Sequence, residues 1–284
     1  MLETRHFNSL QSGPHILLMG GMHGDEPCGT VALERLGQEL AAGQVPLLKG
    51  KVTLIARSNP FALQVNQRFV EENLNRIMAP HATPHNAERR MAVALCEQIE
   101  SADIVLDLHA VTANSVPFTM LDRDIPAQRE WLAALQLPYI LTGWDDLYPN
   151  EAGVTVVSYA QGRKKLATVV ECGCKTDPAS ALVAYDMART TLGFFGLTAP
   201  WDRTPVETRF LRYTQVEYKK REGSFTSPWI NFSPIGAQQT IGRYHDGGEL
   251  KAPADSFIIM PKENALIGLE EWFYLAVEDG AQPS

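Results

Sequence analysis

The sequence lacks the features that mark membrane and secreted proteins. No apolar run approaches the ~18 residues that a membrane-spanning helix needs. The first residues, Met1 to Asn8, carry mixed charges and are not followed by the long apolar stretch of a secretory signal. We therefore expect a cytoplasmic protein with no membrane association.

Cysteine and basic tracts are also scarce. Of 284 residues only four are cysteines, and Cys172 and Cys174 are too close for an ordinary disulfide, so we expect free thiols in a reducing compartment. The formal net charge is −8, and the short basic run Lys219-Lys220-Arg221 is typical of an exposed strand end. We expect no nucleic-acid partner, while homo-oligomer formation stays open.

The first 200 residues alternate between apolar runs typical of buried strands and amphipathic segments typical of helices. The predicted strands cover residues 16–19, 51–56, 104–109, 117–121 and 166–171. The predicted helices cover residues 30–40, 87–100, 127–135 and 178–196, with Asn86 and Asp177 as N-terminal caps and a loop at 143–153. This alternation predicts an α/β fold with a mixed, largely parallel sheet flanked by helices.

The pattern changes near Ala199 and Pro200. From residue 205 onward the chain consists of short β-like runs separated by glycine and proline turns, with no repeat and no low-complexity tract. We predict an α/β domain at residues 1–200 and a smaller all-β domain at residues 205–284.

The first predicted strand is followed by Gly20-Gly21-Met22-His23-Gly24-Asp25-Glu26. Ligands of open α/β sheets bind beyond the carboxyl ends of the strands, and an imidazole and a carboxylate there are suitable zinc ligands. Taken alone, the His-x-x-Glu spacing is also typical of a solvated histidine beside an acid that favours a helix N-terminus.

Other predicted strands of this part also end in polar groups. Arg57 follows the second strand, Asp107 and His109 end the third, and Glu171 ends the last. Buried parallel strands are ordinarily apolar to their ends, so this recurrence indicates a site at one sheet edge. His23, Glu26 and His109 would complete a His₂Glu set for one zinc ion per chain, with a coordination position left open.

Two acidic residues have alternative explanations. Asp107 shares a strand face with His109 and would orient its imidazole, or it is an acid bonded to backbone amides. Glu171 ends an apolar strand, where desolvation would raise its pKa and suit it to general acid–base catalysis. A buried ion pair is the other explanation for Glu171.

Between residues 68 and 76 the chain offers candidate substrate ligands. Asn75 and Arg76 are neighbours, and an amide beside a guanidinium can bind a carboxylate through several directed hydrogen bonds. Arg68 would stabilise an oxyanion if it reaches the zinc. Each arginine taken separately is also explained as a surface charge.

The ordered set of motifs resembles the succinylglutamate desuccinylase/aspartoacylase family, a branch of the zinc carboxypeptidase superfamily. The matching segments cover roughly residues 16 to 196, and they are Gly20 to Glu26, Asn59-Pro60, Arg68, Asn73 to Arg76, Asp107 to His109 and Val170 to Gly173. The resemblance implies a zinc-carboxypeptidase-like sheet, a β-rich second domain and hydrolysis of the amide bond of a small N-acylated amino acid or amine.

The resemblance also implies roles for individual residues. His23, Glu26 and His109 would bind zinc, and Glu171 would act as general base and acid. Arg68 would polarise the scissile carbonyl, while Asn75 and Arg76 would hold a substrate carboxylate. The family's further substrate-binding arginine has its nearest candidate in Arg163, and its C-terminal tyrosine has no counterpart near residues 263–267.

Two other functions fit the same motifs. A carboxypeptidase-like zinc enzyme would cleave short peptides, and a β domain enlarged over the cleft would disfavour long ones. A non-catalytic metal-binding protein of this fold would have lost its general base or its carboxylate-binding pair. Because Glu171, Asn75 and Arg76 are all present, the sequence favours an enzyme.

Overall fold

The computed structural model describes residues 2–80, 83–121, 125–148 and 154–279. Within these ranges the protein has the predicted α/β fold, with one mixed sheet of eleven strands and a separate antiparallel sheet of three. In chain order the strands are β1 (Arg5–Asn8), β2 (His15–Gly20), β3 (Lys51–Ile55), β4 (Ile104–Val111), β5 (Phe118–Met120), β6 (Tyr139–Thr142), β7 (Leu166–Cys174), β8 (Arg209–Tyr218), β9 (Gly223–Phe225), β10 (Ser233–Ile235), β11 (Thr240–Tyr244), β12 (Glu249–Lys251), β13 (Ser256–Ile259) and β14 (Glu271–Glu278).

The helices in the described ranges are α1 (Cys28–Ala41), α2 (Pro60–Val65), α3 (Ala87–Ser101), α4 (Pro126–Ala134), α5 (Trp144–Leu147), α6 (Val156–Gly162) and α7 (Ala179–Phe194). A short 3₁₀ helix covers Leu74–Arg76. None of these helices is both long and apolar enough to cross a membrane.

Four strands at the centre of the large sheet run parallel, in the order β3-β2-β4-β7. Alternate residues of β2 face opposite sides of this sheet, as the two-residue period of a strand requires. Ile16 packs with α1 and α7, whereas Leu17 packs with α3 and α6. Since both faces are covered, the free carboxyl edge of these strands is where polar side chains can gather.

The C-terminal part of the chain continues the same sheet. β8 pairs in parallel with β6, and β14, β13 and β10 follow it in antiparallel order. The small sheet β12-β11-β9 packs its own core around Trp272 and Phe273. The division at residues 200–205 stays a prediction about organisation, and the structure adds that the two parts share one sheet.

Most predicted elements match the observed ones, and the caps act largely as expected. Asn86 accepts a hydrogen bond of 2.8 Å from the N–H of Arg89 at the start of α3. Asp177 accepts one of 2.9 Å from the N–H of Ala179, although the residue at the N-cap of α7 is Pro178. The loop predicted at 143–153 begins with helix α5, and its residues 149–153 lie outside the described ranges.

Candidate metal centre and substrate cavity

Glycines determine the path of the loop that leaves β2. Gly21 adopts a φ of +62°, which residues with a Cβ atom rarely adopt. A Cβ atom on Gly24 would lie 2.0 Å from the carbonyl carbon of Ala62, so only glycine fits beside α2. The chain therefore turns sharply after the strand, and it buries the side chains of His23 and Glu26 in front of α1.

The parallel register of β4 and β7 brings further groups to the same edge. His109 of β4 lies beside Glu171 of β7, and Asp107 lies beside Met19 of β2. His109, Asp107 and Glu171 are all buried. These side chains, which are remote in sequence, meet because the strands that carry them end side by side.

His23, Glu26 and His109 form a compact cluster. The Nδ1 atom of His23 lies 2.9 Å from Oε1 of Glu26, and Nδ1 of His109 lies 3.0 Å from Oε2. One candidate ligand atom from each residue lies within 4.8 Å of the others. Ligands bound to one zinc ion at ~2.0–2.2 Å lie at comparable separations.

The other nitrogen of each imidazole faces an outer oxygen. Nε2 of His109 lies 2.8 Å from Oδ2 of Asp107, and Nε2 of His23 lies 3.1 Å from Oδ1 of Asn73. The same Asn73 oxygen accepts a 3.1 Å bond from the N–H of Asn75. Asn73 therefore links a candidate metal ligand to a candidate substrate ligand, a role that its sequence position did not reveal.

The donors and acceptors of this cluster fit a cation. Burial and the charge of Arg68 lower the pKa of His23 to about 4, so its imidazole is neutral at pH 7 and carries a single N–H. If that hydrogen lies on Nε2, toward Asn73, the lone pair of Nδ1 faces the Glu26 carboxylate. Two electron-rich groups in contact are stabilised when a metal ion binds both.

His109 has a different electrostatic balance. Burial lowers its pKa, but the carboxylates of Asp107 and Glu26 outweigh burial and raise the pKa well above the ordinary value. The Asp107 contact fixes the ring orientation and leaves Nδ1 toward Glu26, as the carboxylate partner of a metal-binding histidine does.

Glu171 is a buried acid, and the effect of burial on its pKa outweighs the attraction of His109 and Arg68. Burial raises its pKa to about 7, and no described group lies within hydrogen-bonding distance of its Oε2 atom. Its cross-strand neighbours are His109 of β4 and Phe118 of β5. An acid that exchanges its proton near neutral pH is suited to both accepting and donating protons.

We expect the Glu171→Gln substitution to stabilise the metal-free fold at pH 8. The folded-state pKa of about 7 exceeds the ordinary 4.5, so the stability that protonated Glu171 provides is fully present below pH 4.5 and is lost as the pH rises through 7. Glutamine carries no charge, and the free energy of unfolding at pH 8 should rise by about 1–3 kcal/mol.

Denaturant unfolding in the presence of a chelator, at pH 5 and at pH 8, measures this effect. The stabilisation should be much smaller at pH 5, where Glu171 of the parent protein is protonated. The exposed Glu207, substituted in the same way, serves as the control. An equal effect of Glu171→Gln at both pH values would contradict the assigned protonation state.

A cavity of about 140 Å³ opens in front of the cluster. The predicted substrate ligands Arg68, Asn75 and Arg76 all line it. Nη1 of Arg68 donates a 2.8 Å hydrogen bond to Oε1 of Glu26, which places the guanidinium beside the metal-ligand cluster.

Asn75 and Arg76 are held at the cavity wall by the backbone around them. Oδ1 of Asn75 accepts a 2.8 Å hydrogen bond from the N–H of Val156 at the start of α6, which leaves its amide NH₂ for a ligand. Nη1 of Arg76 donates to the Asn75 carbonyl oxygen at 2.9 Å, and its guanidinium lies 5.6 Å from the centre of the Trp144 ring.

Two basic residues named from the sequence lie away from the cavity. Arg163, predicted as a substrate ligand, follows α6, where its guanidinium is 3.4 Å from Glu100 and 5.0 Å from the ring of Tyr159. We therefore correct that prediction, because these contacts hold Arg163 at the surface. Arg57, which follows β3, forms an exposed ion pair with Glu34.

The C-terminal part of the chain supplies cavity residues that the sequence analysis missed. Lys262, Glu270, Glu271 and Tyr274 line the same cavity as the motif residues of the first part. No tyrosine was found near residues 263–267, but Tyr274 on β14 reaches the cavity from further along the chain. Their only sequence signal is polarity within a β-like run, which does not distinguish a cavity wall from a solvated strand.

Comparison with known families identifies the first part of the chain. Residues 12–195 match the succinylglutamate desuccinylase/aspartoacylase catalytic domain. The succinylglutamate desuccinylase of Burkholderia mallei (strain ATCC 23344) is 26% identical over 191 residues, which are 61% of this chain and 53% of that protein. The chain thus spans about half the length of this relative.

A second relative is matched over more of its length. The N-alpha-acetyl-L-2,4-diaminobutyric acid deacetylase of Halomonas elongata is 29% identical over 252 residues, which are 82% of this chain and 71% of that protein. Among solved structures, the succinylglutamate desuccinylase/aspartoacylase from Rhodobacter sphaeroides superposes with a TM-score of 0.79 at 20% identity, covering 98% of this chain and 89% of that one. This likeness shows the shared fold.

Proposed function

The chain belongs to the succinylglutamate desuccinylase/aspartoacylase family, and from this membership we propose that it is a zinc-dependent hydrolase. Its reaction is cleavage of the amide bond of a small N-acylated amino acid or amine. One observation carries the proposal: the cluster of His23, Glu26 and His109 opens onto the same cavity as the buried Glu171.

The metal would be held by Nδ1 of His23, Nδ1 of His109 and the Glu26 carboxylate, a His₂Glu donor set typical of catalytic zinc. A zinc ion in this position supplies a Lewis acid for the substrate carbonyl and acidifies an adjacent water. Asp107 and Asn73 keep both imidazoles oriented with Nδ1 toward Glu26.

Glu171 moves the proton in this proposal. Amide hydrolysis requires that the attacking water lose a proton and that the leaving nitrogen gain one. A buried carboxyl group with a pKa of about 7 accepts the first proton and donates it in the second step. No second acid–base group is needed, because the same carboxyl serves both steps.

Arg68 stabilises the charge that forms on the scissile carbonyl oxygen. Its guanidinium contacts Glu26 and is fixed at the edge of the metal-ligand cluster. A preorganised donor aimed at a developing oxyanion typically contributes about 10²–10³-fold to kcat. Asn75 and Arg76 then anchor a substrate carboxylate on the same side of the cavity.

We expect Arg76→Ala to raise KM about 10–100-fold for substrates that carry a carboxylate, since a charge-assisted hydrogen bond is lost. kcat should change little, because Arg76 does not contact the cluster. The matched comparison is an N-acyl amine without a carboxylate, whose kcat/KM should be unaffected. Steady-state kinetics on both substrates measures the effect, and a uniform loss on both would contradict the carboxylate role.

A second candidate function is suggested by a groove next to the cavity. The groove and the cavity share the lining residues Thr112, Ala113, Pro261 and Lys262, so a longer ligand can extend from one into the other. This continuity favours short peptides as the alternative substrate, cleaved by a carboxypeptidase-like reaction. The retained Glu171 and Arg76 argue against a protein that only binds metal.

The deciding experiment combines metal analysis with a substrate screen. Purified protein should contain about one zinc ion per chain and lose activity when chelated, with recovery on adding zinc. The metal-loaded protein is then assayed on N-acetyl and N-succinyl amino acids, N-acyl amines and dipeptides. Hydrolysis of dipeptides alone would support the alternative, and hydrolysis of none would overturn the proposal.

The proposal includes a cytoplasmic location, with which the free thiols of the four cysteines agree. These cysteines are Cys28, Cys96, Cys172 and Cys174.

A further inference from the structure

The C-terminal part of the chain forms one wall of the cavity, and this wall carries several charged side chains. It includes one basic residue, Lys262, and two acidic ones, Glu270 and Glu271. Lys262 and Glu270 form an ion pair with each other, and Glu270 also accepts a hydrogen bond of 2.8 Å from the N–H of Leu266. The charges of this pair compensate each other, which leaves Glu271 as the acid of the wall without an ion-pair partner among the described residues. Arg68 attracts Glu271 electrostatically but forms its ion pair with Glu26.

A β-bulge aims Glu271 into the cavity. The register of β14 against β8 shifts between Glu271 and Phe273, so Glu271 and Tyr274 face the same side although they are three residues apart. Trp272 and Phe273 pack instead into the core of the small sheet. Bulges of this kind often redirect a side chain next to an active site.

Among the described residues, the hydrogen-bond partner of the Glu271 carboxylate is an aromatic hydroxyl group. Oε1 accepts a 3.3 Å hydrogen bond from the Tyr148 hydroxyl, which lies 2.9 Å from the Tyr274 hydroxyl. Burial raises the pKa of both tyrosines, so they remain neutral phenols. Among the described residues, no lysine, arginine or histidine forms an ion pair with Glu271.

The two arginines that line the cavity form their hydrogen bonds with groups other than Glu271. Arg68 donates to Glu26, and Arg76 donates to the Asn75 carbonyl and lies over Trp144. The cavity is therefore lined both by candidate carboxylate ligands and by an acid that forms no ion pair with them, and the ring of Tyr274 lines it as well. A carboxylate beside an aromatic ring is the usual environment for an ammonium group.

We infer that Glu271 is a specificity residue that binds an ammonium group of the substrate. On the hydrolase function proposed above, the preferred substrates are N-acylated diamino acids, whose carboxylate lies at Asn75 and Arg76 and whose second amino group lies at Glu271. A second carboxylate at that position meets an unpaired anion instead, so N-acylated dicarboxylic amino acids are poor substrates.

Three substrates of equal chain length test this inference. N-α-acetylornithine carries an ammonium group, N-acetylnorvaline lacks it, and N-acetylglutamate has a carboxylate in its place. The zinc-loaded protein should show the highest kcat/KM on N-α-acetylornithine and the lowest on N-acetylglutamate. Glu271→Gln should lower kcat/KM for N-α-acetylornithine about 10–100-fold and leave N-acetylnorvaline within about 2-fold.

Glutamine at position 271 keeps an oxygen for the Tyr148 hydroxyl, so the wall retains its shape. Glu207→Gln, which removes an exposed carboxylate outside the cavity and the groove, should leave all three values unchanged. Equal losses on all three substrates in Glu271→Gln would show a structural role and overturn the inference. So would a preference for N-acetylglutamate that persists in Glu271→Gln, although the hydrolase function would stand. Failure to hydrolyse any N-acyl amino acid would overturn both.

Discussion

Glu171→Gln is expected to lower kcat by about 10³–10⁴-fold while the zinc content stays at that of the parent protein. Glutamine has the size of glutamate but neither accepts nor donates a proton at neutral pH. The water would have to lose its proton without a base, and the leaving nitrogen would have to gain one without an acid. Since Glu171 is assigned to proton transfer and not to metal binding, activity and metal content should separate.

Single-turnover kinetics and metal analysis on the same preparation measure both quantities. Glu207→Gln is the matched control, because it makes the same chemical change at an exposed position outside the cavity and the groove. Glu171→Ala should behave like Glu171→Gln, which excludes a new contact of the glutamine amide as the cause. Two results would contradict the role: retained turnover in either variant, or a loss of zinc as large as that caused by removing a histidine ligand.

The central sheet was predictable because its strands obey local rules. The strands β2, β3, β4 and β7 are apolar, short and bounded by turn residues, and each predicted segment overlaps the observed strand. The cap of α3 followed from a single asparagine, Asn86. A strand that is buried on both faces is apolar along its length, so its sequence alone is enough to predict it.

Between residues 111 and 160, the predicted strand at 117–121 and helix at 127–135 overlap β5 and α4, but β6, α5 and α6 were not predicted. β6 has four residues, and α5 has four, so neither is long enough to show a period. α6 is held by a tertiary contact, because the N–H of its first residue, Val156, donates a hydrogen bond to Asn75. Short elements held by remote side chains leave little trace in local sequence.

Some residues of the candidate site could likewise be predicted from the sequence, and others could not. The sequence singled out His23, Glu26, His109 and Glu171 because polar residues at the ends of buried strands are unusual, and the structure brings them to one cavity. Asn73 was overlooked as a support for His23, and Glu271 as a cavity residue, because each acts through a contact across the fold. Arg163 was predicted as a substrate ligand because it is close to β7 in sequence. In the structure it contacts Glu100, away from the cavity.

His109→Ala is expected to abolish zinc binding and turnover together. The substitution removes one of three protein ligands, so the loss of affinity should exceed the ~10–100-fold that changes in outer partners cause. Asp107→Asn, which keeps the ligand and alters only its outer partner, should fall within that smaller range. Competition with a chelator of known affinity ranks the variants.

His109→Ala also leaves the Asp107 carboxylate buried without its imidazole partner, and an uncompensated buried charge destabilises a fold. His23→Ala separates the two effects, because the outer partner of His23 is the neutral amide of Asn73. We expect both variants to lose zinc and only His109→Ala to show markedly reduced thermal stability without metal. If His23→Ala kept zinc at the parent affinity, the three-ligand cluster would not be the metal site, and the catalytic role built on it would fall with it.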